Sequence, residues 1–215
     1  MDSPPGEFLL VNAVCFALPL SSSIWIVLRH VRTMEMSDAR VWRGVAIELL
    51  SIAAALAVLR VRGWKRDSFG FHATVGNTLG GVLLTIGYMV GVGLFYWLLS
   101  GLLAAARVDA SRLEFVHFHV TAHLPVMLLF IVINSFYEEL FVTGYAIESL
   151  QEHGPAYAVT VSAFIRFAYH IYQGPLAASI ILLLGVAFAT LYWRGRNLYS
   201  LWWPTRNLLV FARSH

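Results

Sequence analysis

Long apolar segments alternate with short polar ones through almost the whole chain. A helix needs about 20 mostly apolar residues to cross a bilayer. Seven segments approach this length, at residues 8–28, 41–59, 78–106, 120–142, 155–171, 175–193 and 198–212. The segments 155–171 and 198–212 are short, which is compatible with partial crossings. The pattern predicts an all-α fold, a polytopic integral membrane bundle of about six to eight helices.

The chain is predicted to hold a single transmembrane domain, residues 8–215, behind a short disordered leader, residues 1–7. The leader is acidic and rich in proline, and it lacks the basic start of a secretory signal, so the first apolar segment is predicted to remain as a helix. Basic residues concentrate in the loops 29–43 and 60–72. These loops fall on opposite sides of the membrane in a seven-helix arrangement, so the positive-inside rule gives no orientation.

The composition supports a membrane protein and excludes some other classes. Hydrophobic residues make up 59% of the 215 residues and charged residues only 13%, against roughly 25% charged residues in soluble domains. The net charge of +3 is spread over loops, so a nucleic-acid partner is not indicated. The single cysteine, Cys15, excludes an internal disulfide and a cysteine-based metal site.

Ionisable side chains inside apolar segments are few, and each needs a partner or a function because a charge is expensive at that depth. The candidates are Glu48, His123, Glu138, Glu139, Arg166 and His170. Glu48 is expected to snorkel or to pair with an arginine, and a role in a site stays open. The cluster FVHFHVTAHLP offers His117, His119 and His123; the last two have the i, i+4 spacing that can bind a metal from a helix. An interfacial histidine patch is the favoured interpretation.

Glu138, Glu139 and His170 have the chemistry to activate a water molecule. Adjacent helical residues point about 100° apart, so one glutamate can act as a general base while the other orients a partner. His170 follows Arg166 by four residues, which predicts that both lie on one helix face. A solvated helix end for the glutamates and a packing role for His170 are the alternatives. Convergence of these side chains would indicate a membrane-embedded hydrolase.

Two stretches resemble the motifs of a known family. YEELFVTG, residues 137–144, resembles Glu-Glu-x-x-x-Arg followed by Gly, and RFAYHIYQG, residues 166–174, resembles Phe-x-x-x-His. These are the first and second motifs of the CAAX-processing and bacteriocin-processing (abortive-infection) intramembrane protease family. DSFGFHATVGNTLGGVLLTIG is also similar to the segment before the central helices of that family. The resemblance covers about residues 67–200, with a protease-like core at about 67–212.

The resemblance implies a helical protease in which a glutamate activates water for attack on a peptide carbonyl. Glu138 matches the base, Glu139 its neighbour and His170 the second-motif histidine. Further histidines and an asparagine complete the family site. The resemblance leaves the cofactor open. A divalent metal such as zinc is one possibility, and Glu138 and His170 would then be its ligands. The implied partners are the lipid bilayer and a peptide or membrane-protein substrate, and the implied location is the bacterial plasma membrane.

The chain departs from the family at three positions. Thr143 replaces the arginine of the first motif, and Arg166 replaces the phenylalanine of the second. The third motif, a histidine with Asn or Asp four residues on, should fall near Thr205 and Arg206, where no histidine occurs. We expect Arg166 to form a charge-assisted hydrogen bond with Glu139 or Glu138 and to take over the orienting role of the lost arginine. Snorkelling of Arg166 to the interface is the alternative.

Three functions remain open on the sequence alone. The first is an active intramembrane endopeptidase, in which Arg166 or Arg206 supplies positive charge near the developing oxyanion. The second is a catalytically inactive relative that binds a membrane partner, for example in immunity or regulation. The third is a small proton or cation transporter that uses Glu48, Glu138 and Glu139. The hydropathy pattern shows no inverted repeat, which argues against a transporter.

Overall fold

The computed structural model describes residues 5–107 and 116–203 and confirms a helical membrane bundle. Its helices are α1 Pro5–Leu28, α2 Asp38–Val61, α3 Val75–Ala105, α4 Leu124–Glu138, α5 Ala146–Ser149, α6 Pro155–Ala168 and α7 Pro175–Gly195. Residues 198–203 are also helical. A π-helical segment, Glu139–Tyr145, joins α4 and α5 into one continuous helix, Leu124–Ser149. Two short strands, β1 Thr33–Met36 and β2 His117–Val120, pair in parallel.

Five helices of the described part are long and apolar enough to cross a bilayer: α1, α2, α3, the continuous helix Leu124–Ser149, and α7. Helix α6 is apolar but has only 14 residues, and at a rise of about 1.5 Å per residue it is too short to cross alone. This agrees with a partial crossing by the segment predicted at 155–171. The segment predicted at 198–212 is helical over 198–203, and its remainder lies outside the described residues.

The helices connect at two ends of the bundle. The parallel strands β1 and β2 place the α1–α2 connection beside the segment that enters α4; we call these two strands the ribbon and this end the ribbon end. At the far end, the buried carboxylate of Glu7 in α1 accepts a hydrogen bond of 2.9 Å from the indole of Trp64, just beyond α2. Glu148 in α5 pairs there with Arg196, just beyond α7, at 2.5 Å. Polar contacts therefore join the helices at both ends.

The predicted leader boundary between residues 7 and 8 is wrong, because α1 begins at Pro5. Proline suits the first turn of a helix, where its missing N–H would have no partner. Glu7 is only 4% exposed and is held by Trp64, and an acidic side chain near a helix N-terminus is favourable. Residues 5–7 are thus part of the folded bundle, while residues 1–4 lie outside the described residues.

The helix predicted from residue 120 begins only at Leu124, after β2. Pro125 in the first turn marks this start. His119 lies in the strand and His123 is the residue before the helix, so the two do not form the i, i+4 pair on a helix that was the alternative to an interfacial patch. Instead, the Nδ1 atom of His123 lies 2.5 Å from a carboxylate oxygen of Asp38 at the start of α2. The backbone N–H of His123 donates to the other oxygen of Asp38 at 2.7 Å.

Candidate active site

The two adjacent glutamates lie where α-helix changes to π-helix. Glu138 is the last residue of α4, and Glu139 opens the π-helical segment. Both are buried, with 8% and 1% of their surface exposed. The hydroxyl of Ser162 in α6 donates to the carbonyl of Val142 at 2.6 Å, which links the π-helical segment to α6. Single-turn π-helical insertions often occur at functional sites, and here the insertion adjoins both carboxylates.

Arg166 of α6 binds the glutamates, as the sequence predicts. Its Nη2 atom donates to Oε1 of Glu139 at 2.6 Å and to Oγ1 of Thr143 at 3.2 Å. Its Nη1 atom lies 3.8 Å from Oε2 of Glu138. Only 3% of Arg166 is exposed, so the snorkelling alternative is wrong. The guanidinium thus meets the side chain of Thr143, which holds the arginine position of the first family motif.

Helix α7 makes room for the buried arginine. A side chain at Gly185 would bring its Cβ within 3.1 Å of Ala163 Cα and within 3.5 Å of Arg166 Cδ. A glycine here therefore lets α6 and α7 approach closely around the arginine stem. One turn further along α7, the ring of Phe188 lies 5.7 Å from the guanidinium carbon, which is within cation–π range.

His170 faces Glu138 from the turn between α6 and α7. Its Nε2 atom lies 3.8 Å from Oε1 of Glu138. Helix α6 ends at Ala168, so the predicted position of His170 on the α6 face is wrong. The chain leaves the helix before Gly174, whose φ of 106° is one that glycine readily adopts. The imidazole nevertheless stays over the last turn of α6, because its Nδ1 lies 2.9 Å from the carbonyl of Arg166.

The hydrogen bond of His170 fixes its tautomer. A carbonyl can only accept, so Nδ1 carries the proton and Nε2 of the neutral ring keeps its lone pair toward Glu138. His170 lies outside the five helices long enough to span the membrane. Burial lowers the pKa of His170, and the nearby charge of Glu138 opposes this shift. The ring is therefore neutral at neutral pH.

Glu48 has a partner that the sequence analysis missed. Its Oε1 atom accepts a hydrogen bond of 2.8 Å from the side-chain amide of Asn134 in α4. The predicted arginine partner is wrong, since a neutral amide takes that place. Asn134 precedes Glu138 by four residues on one helix, so both face the same side. The i, i+4 spacing of a polar residue and Glu138 within an apolar helix was the available signal.

The other predicted site residues do not complete a metal centre within the described chain. Thr205 and Arg206, at the expected third motif, lie outside the described residues. Within residues 5–107 and 116–203, no group of three or more His, Cys, Asp or Glu side chains is arranged to hold a metal ion. Glu138 and His170 would supply two ligands, fewer than the three protein ligands usual for catalytic zinc. The described residues thus do not form a zinc site by themselves.

A pocket of about 200 Å³ lies elsewhere, at the far end of the bundle. It is lined by Trp64, Ser68, Glu148 and Gln151. Glu148, which lines this pocket, pairs with Arg196, whereas Glu138 faces His170. The glutamates, Arg166 and His170 instead form a compact polar cluster in the bundle interior, which we call the buried cluster.

Comparison with known proteins identifies the segment that carries the buried cluster. Residues 120–204 match the family model described as type II CAAX prenyl endopeptidase, Rce1-like. The match contains both motifs and confirms the resemblance found in them, whereas residues 67–119 of that resemblance lie outside it. No curated protein and no solved structure matches the chain. Over this segment the chain is thus similar to CAAX-type intramembrane proteases, and the five long apolar helices of its described part make it an integral membrane protein.

Proposed function

We propose that this chain is an intramembrane endopeptidase that hydrolyses a peptide bond in or near the bilayer with water activated by Glu138. The approach of Glu138 and His170 to 3.8 Å inside an apolar bundle carries the proposal. The match to the CAAX prenyl endopeptidase model supports a peptide substrate. The two motifs provide the carboxylate and the imidazole that such a reaction needs. The proposed location is the bacterial plasma membrane.

In the proposed reaction, Glu138 takes a proton from a water molecule as the water oxygen attacks the scissile carbonyl carbon. The carbonyl π-electrons move to the oxygen, and on collapse of this tetrahedral species the C–N bond breaks. Glu138 then returns the proton to the leaving amine. Nε2 of neutral His170 is placed to accept a hydrogen bond from the same water. The 2.6 Å contact between Arg166 and Glu139 holds the helix segment that carries Glu138 in position.

A catalytically inactive, partner-binding relative is the second candidate, and the position of Arg166 favours it. The guanidinium satisfies Glu139 and lies 3.8 Å from Glu138. The guanidinium therefore attracts the same carboxylate that a general base must present to water, and it competes with the water molecule for that carboxylate. A protein that uses the cluster only to hold its helices together would have these contacts as well.

A cleavage assay separates the two candidates. The substrate is a farnesylated peptide ending in Cys-Val-Ile-Met, with its unprenylated counterpart beside it, and the protein is reconstituted in nanodiscs. We expect wild-type cleavage, and Glu138→Gln should reduce its rate at least about 100-fold because the amide cannot accept the proton. The control is Glu148→Gln on the same continuous helix, which lies at the far end against Arg196. It should cleave at close to the wild-type rate.

Two results would count against the enzyme. Retained cleavage in Glu138→Gln would remove Glu138 as the base. No cleavage of either peptide by folded wild-type protein would favour the inactive, partner-binding candidate.

A further inference from the structure

One edge of the ribbon carries backbone groups that point away from the other strand. The N–H of His117 in β2 donates to the carbonyl of Arg32 at 2.8 Å. In a parallel ladder, the N–H and C=O of one residue point to the same side, and successive residues alternate. The backbone groups of Phe118 and Val120 therefore point away from β1. Among the backbone hydrogen bonds of the described residues, none reaches these outward groups.

The ribbon is amphipathic, which sets how it lies on the bundle. Val120 and Met36 are partly buried and pack against a small apolar cluster that includes Val41 and Met127. On the opposite face, Glu35 and its register partner His119 are exposed. A sheet with one apolar and one polar face lies with its apolar face on the protein. Its outer edge thus runs along the ribbon end rather than into the core.

The outer strand is continuous with the buried cluster. Phe118 in β2 is 43% exposed, and its ring meets that of Tyr172 edge-on at 6.2 Å between centroids. The Tyr172 ring stacks beside the imidazole of His170 at 6.5 Å. His170 is in turn 3.8 Å from Glu138. Three side chains in a row therefore connect the open strand to the candidate base.

The turn between α6 and α7 lies beside α1, a short distance inside the bundle from the ribbon end. The backbone N–H of Tyr172 in this turn donates to Oγ of Ser23 at 3.2 Å. Ser23 precedes the end of α1 at Leu28 by five residues, which corresponds to about 8 Å along a helix axis. The turn that carries His170 therefore lies within about 8 Å, along the axis of α1, of the end of the bundle that carries the ribbon.

We propose that the outer edge of β2 is the docking site of the peptide substrate, which binds as an extended third strand and continues past Tyr172 to Glu138. The proposal rests on the proposed function, because it supplies the substrate of that reaction. A strand edge is matched only by an extended backbone. A helical substrate has its carbonyls bonded internally, so docking in this mode also presents a carbonyl that water can attack.

The first test varies the peptide and leaves the protein unchanged. The probe is the farnesylated peptide of the cleavage assay, extended by eight apolar residues before its cysteine and labelled with fluorescein. Binding is measured by anisotropy on the Glu138→Gln protein in nanodiscs, so that hydrolysis cannot interfere. N-methylation is moved through the eight residues one at a time. We expect about tenfold weaker binding at two residues separated by one other and little change at the remaining positions, because β2 has four residues and only every second N–H of an added strand faces it.

The second test varies the protein. Val120→Pro removes one outward N–H from β2 but no bond of the ribbon, since proline is tolerated where the N–H faces away from the ladder. We expect about tenfold weaker binding, whereas Val120→Ala, which loses the same packing against Val41 and Met127 but keeps the N–H, should bind like the wild type. The control is Thr33→Pro, which removes an outward N–H from the opposite edge, on β1, and should leave binding unchanged.

The outcomes separate the docking site from the enzyme. Equal effects of N-methylation at all eight residues, or binding that depends only on the farnesyl group, would overturn strand docking. The absence of any binding to Glu138→Gln would overturn it as well. If wild-type protein cleaves the peptide while Val120→Pro and Thr33→Pro bind it equally, the docking site fails and the endopeptidase stands. If N-methylation weakens binding only at alternate peptide residues and the wild-type protein does not cleave the peptide, the docking site is supported and the endopeptidase is contradicted.

Discussion

Glu138 and Glu139 are neighbours in sequence but have different principal contacts. Glu139, the more buried, receives the 2.6 Å hydrogen bond of Arg166, whereas Glu138 faces His170 at 3.8 Å. Two carboxylates at this depth would repel each other without a cation, and the guanidinium of Arg166 lies within 3.8 Å of both. At the residue scale, the arrangement leaves one carboxylate held in an ion pair and the other facing the imidazole.

The pair of Arg166 and Glu139 should be strongly coupled in stability. Arg166→Met leaves a buried carboxylate without its cation, and Glu139→Gln leaves a buried cation without its anion. Each should cost about 3–5 kcal/mol of unfolding free energy. The double variant should cost less than the sum, with a coupling of up to about 3 kcal/mol. Reversible unfolding in mixed detergent measures the cycle.

A weaker ion pair at the far end provides the control for this cycle. Arg62 and Glu7 are 3.9 Å apart, and the Arg62 side chain is 53% exposed. Solvent screening there should limit the coupling to below about 1 kcal/mol. Additive effects of Arg166→Met and Glu139→Gln, within about 0.5 kcal/mol, would show that the close contact does not couple the two residues.

The hypothesis that Arg166 replaces the arginine of the first family motif can be tested by placing an arginine at position 143. Arg166→Phe alone should lower the melting temperature and abolish cleavage, because Glu139 loses its cation. Adding Thr143→Arg should recover a large part of both, since Thr143 already lies 3.2 Å from Nη2 of Arg166 and follows Glu139 by four residues. The measurements are melting temperature and initial cleavage rate.

A lysine at the same position is the matched control for the relocation. Thr143→Lys combined with Arg166→Phe should recover less, because an ammonium lacks the planar fork that binds a carboxylate through two N–H groups. No recovery in the Thr143→Arg, Arg166→Phe variant would mean that Arg166 acts from its own helix and does not replace the family arginine.

The cost of burying charge is what made this part of the site predictable. An arginine and two glutamates in apolar segments need each other, so the contact between Arg166 and Glu139 could be inferred from sequence. The bond between Glu48 and Asn134 could not, because the i, i+4 spacing with Glu138 indicates only the side of the helix that Asn134 faces, and nothing in the sequence connects it to Glu48 across 86 residues. The departure of His170 from α6 also escaped prediction, since the apolar pattern continues beyond the end of the helix at Ala168.

At the scale of elements, close packing of α6 on α7 supports the site. A Cβ at Gly185 would lie 3.1 Å from Ala163 Cα, and backbone cannot move aside as a flexible side chain can. Gly185→Ala should therefore destabilise the protein by about 1–3 kcal/mol and reduce cleavage by shifting Arg166. The control is Gly87→Ala in α3, where nothing lies within 4 Å of the new Cβ. It should not destabilise, because alanine favours helix by up to about 1 kcal/mol. Equal stability of the two variants would contradict a tight α6–α7 contact.

The long helices were predictable from hydropathy because a membrane span needs a long apolar segment. The ribbon was not, since each strand has four residues and the partners are separated by more than 80 residues, as with Thr33 and His117. Short strands lack the length over which a period of two can be recognised. The helix start at Leu124 was misplaced for the same reason, although Pro125 marks it.

At the scale of the whole molecule, the charged contacts among residues 5–107 and 116–203 occur at both ends and at one place between them. The ribbon end holds Asp38 against His123, and the far end holds Glu148 against Arg196. The buried cluster lies in the interior, near the end of α4. Interfacial pairs contribute little individually, whereas the interior contact of Arg166 with Glu139 joins α6 to the start of the π-helical segment. The contact that joins these two helical segments is therefore also part of the candidate site.

The two ends should lie on opposite sides of the membrane, and the single cysteine makes this testable. Because Cys15 is the single cysteine of the sequence, Cys15→Ser gives a protein without thiols, into which new cysteines can be placed one at a time. Cysteines placed at Arg29 and His119 should react with a membrane-impermeant maleimide from one side of sealed vesicles, because β1 and β2 bring their segments together. Cysteines at Lys65 and His153 should react only from the other side, since α2 and the continuous helix from Leu124 each cross between the two groups. Labelling of Arg29→Cys and Lys65→Cys from the same side would mean that α2 does not cross the membrane, and would contradict the arrangement of the bundle.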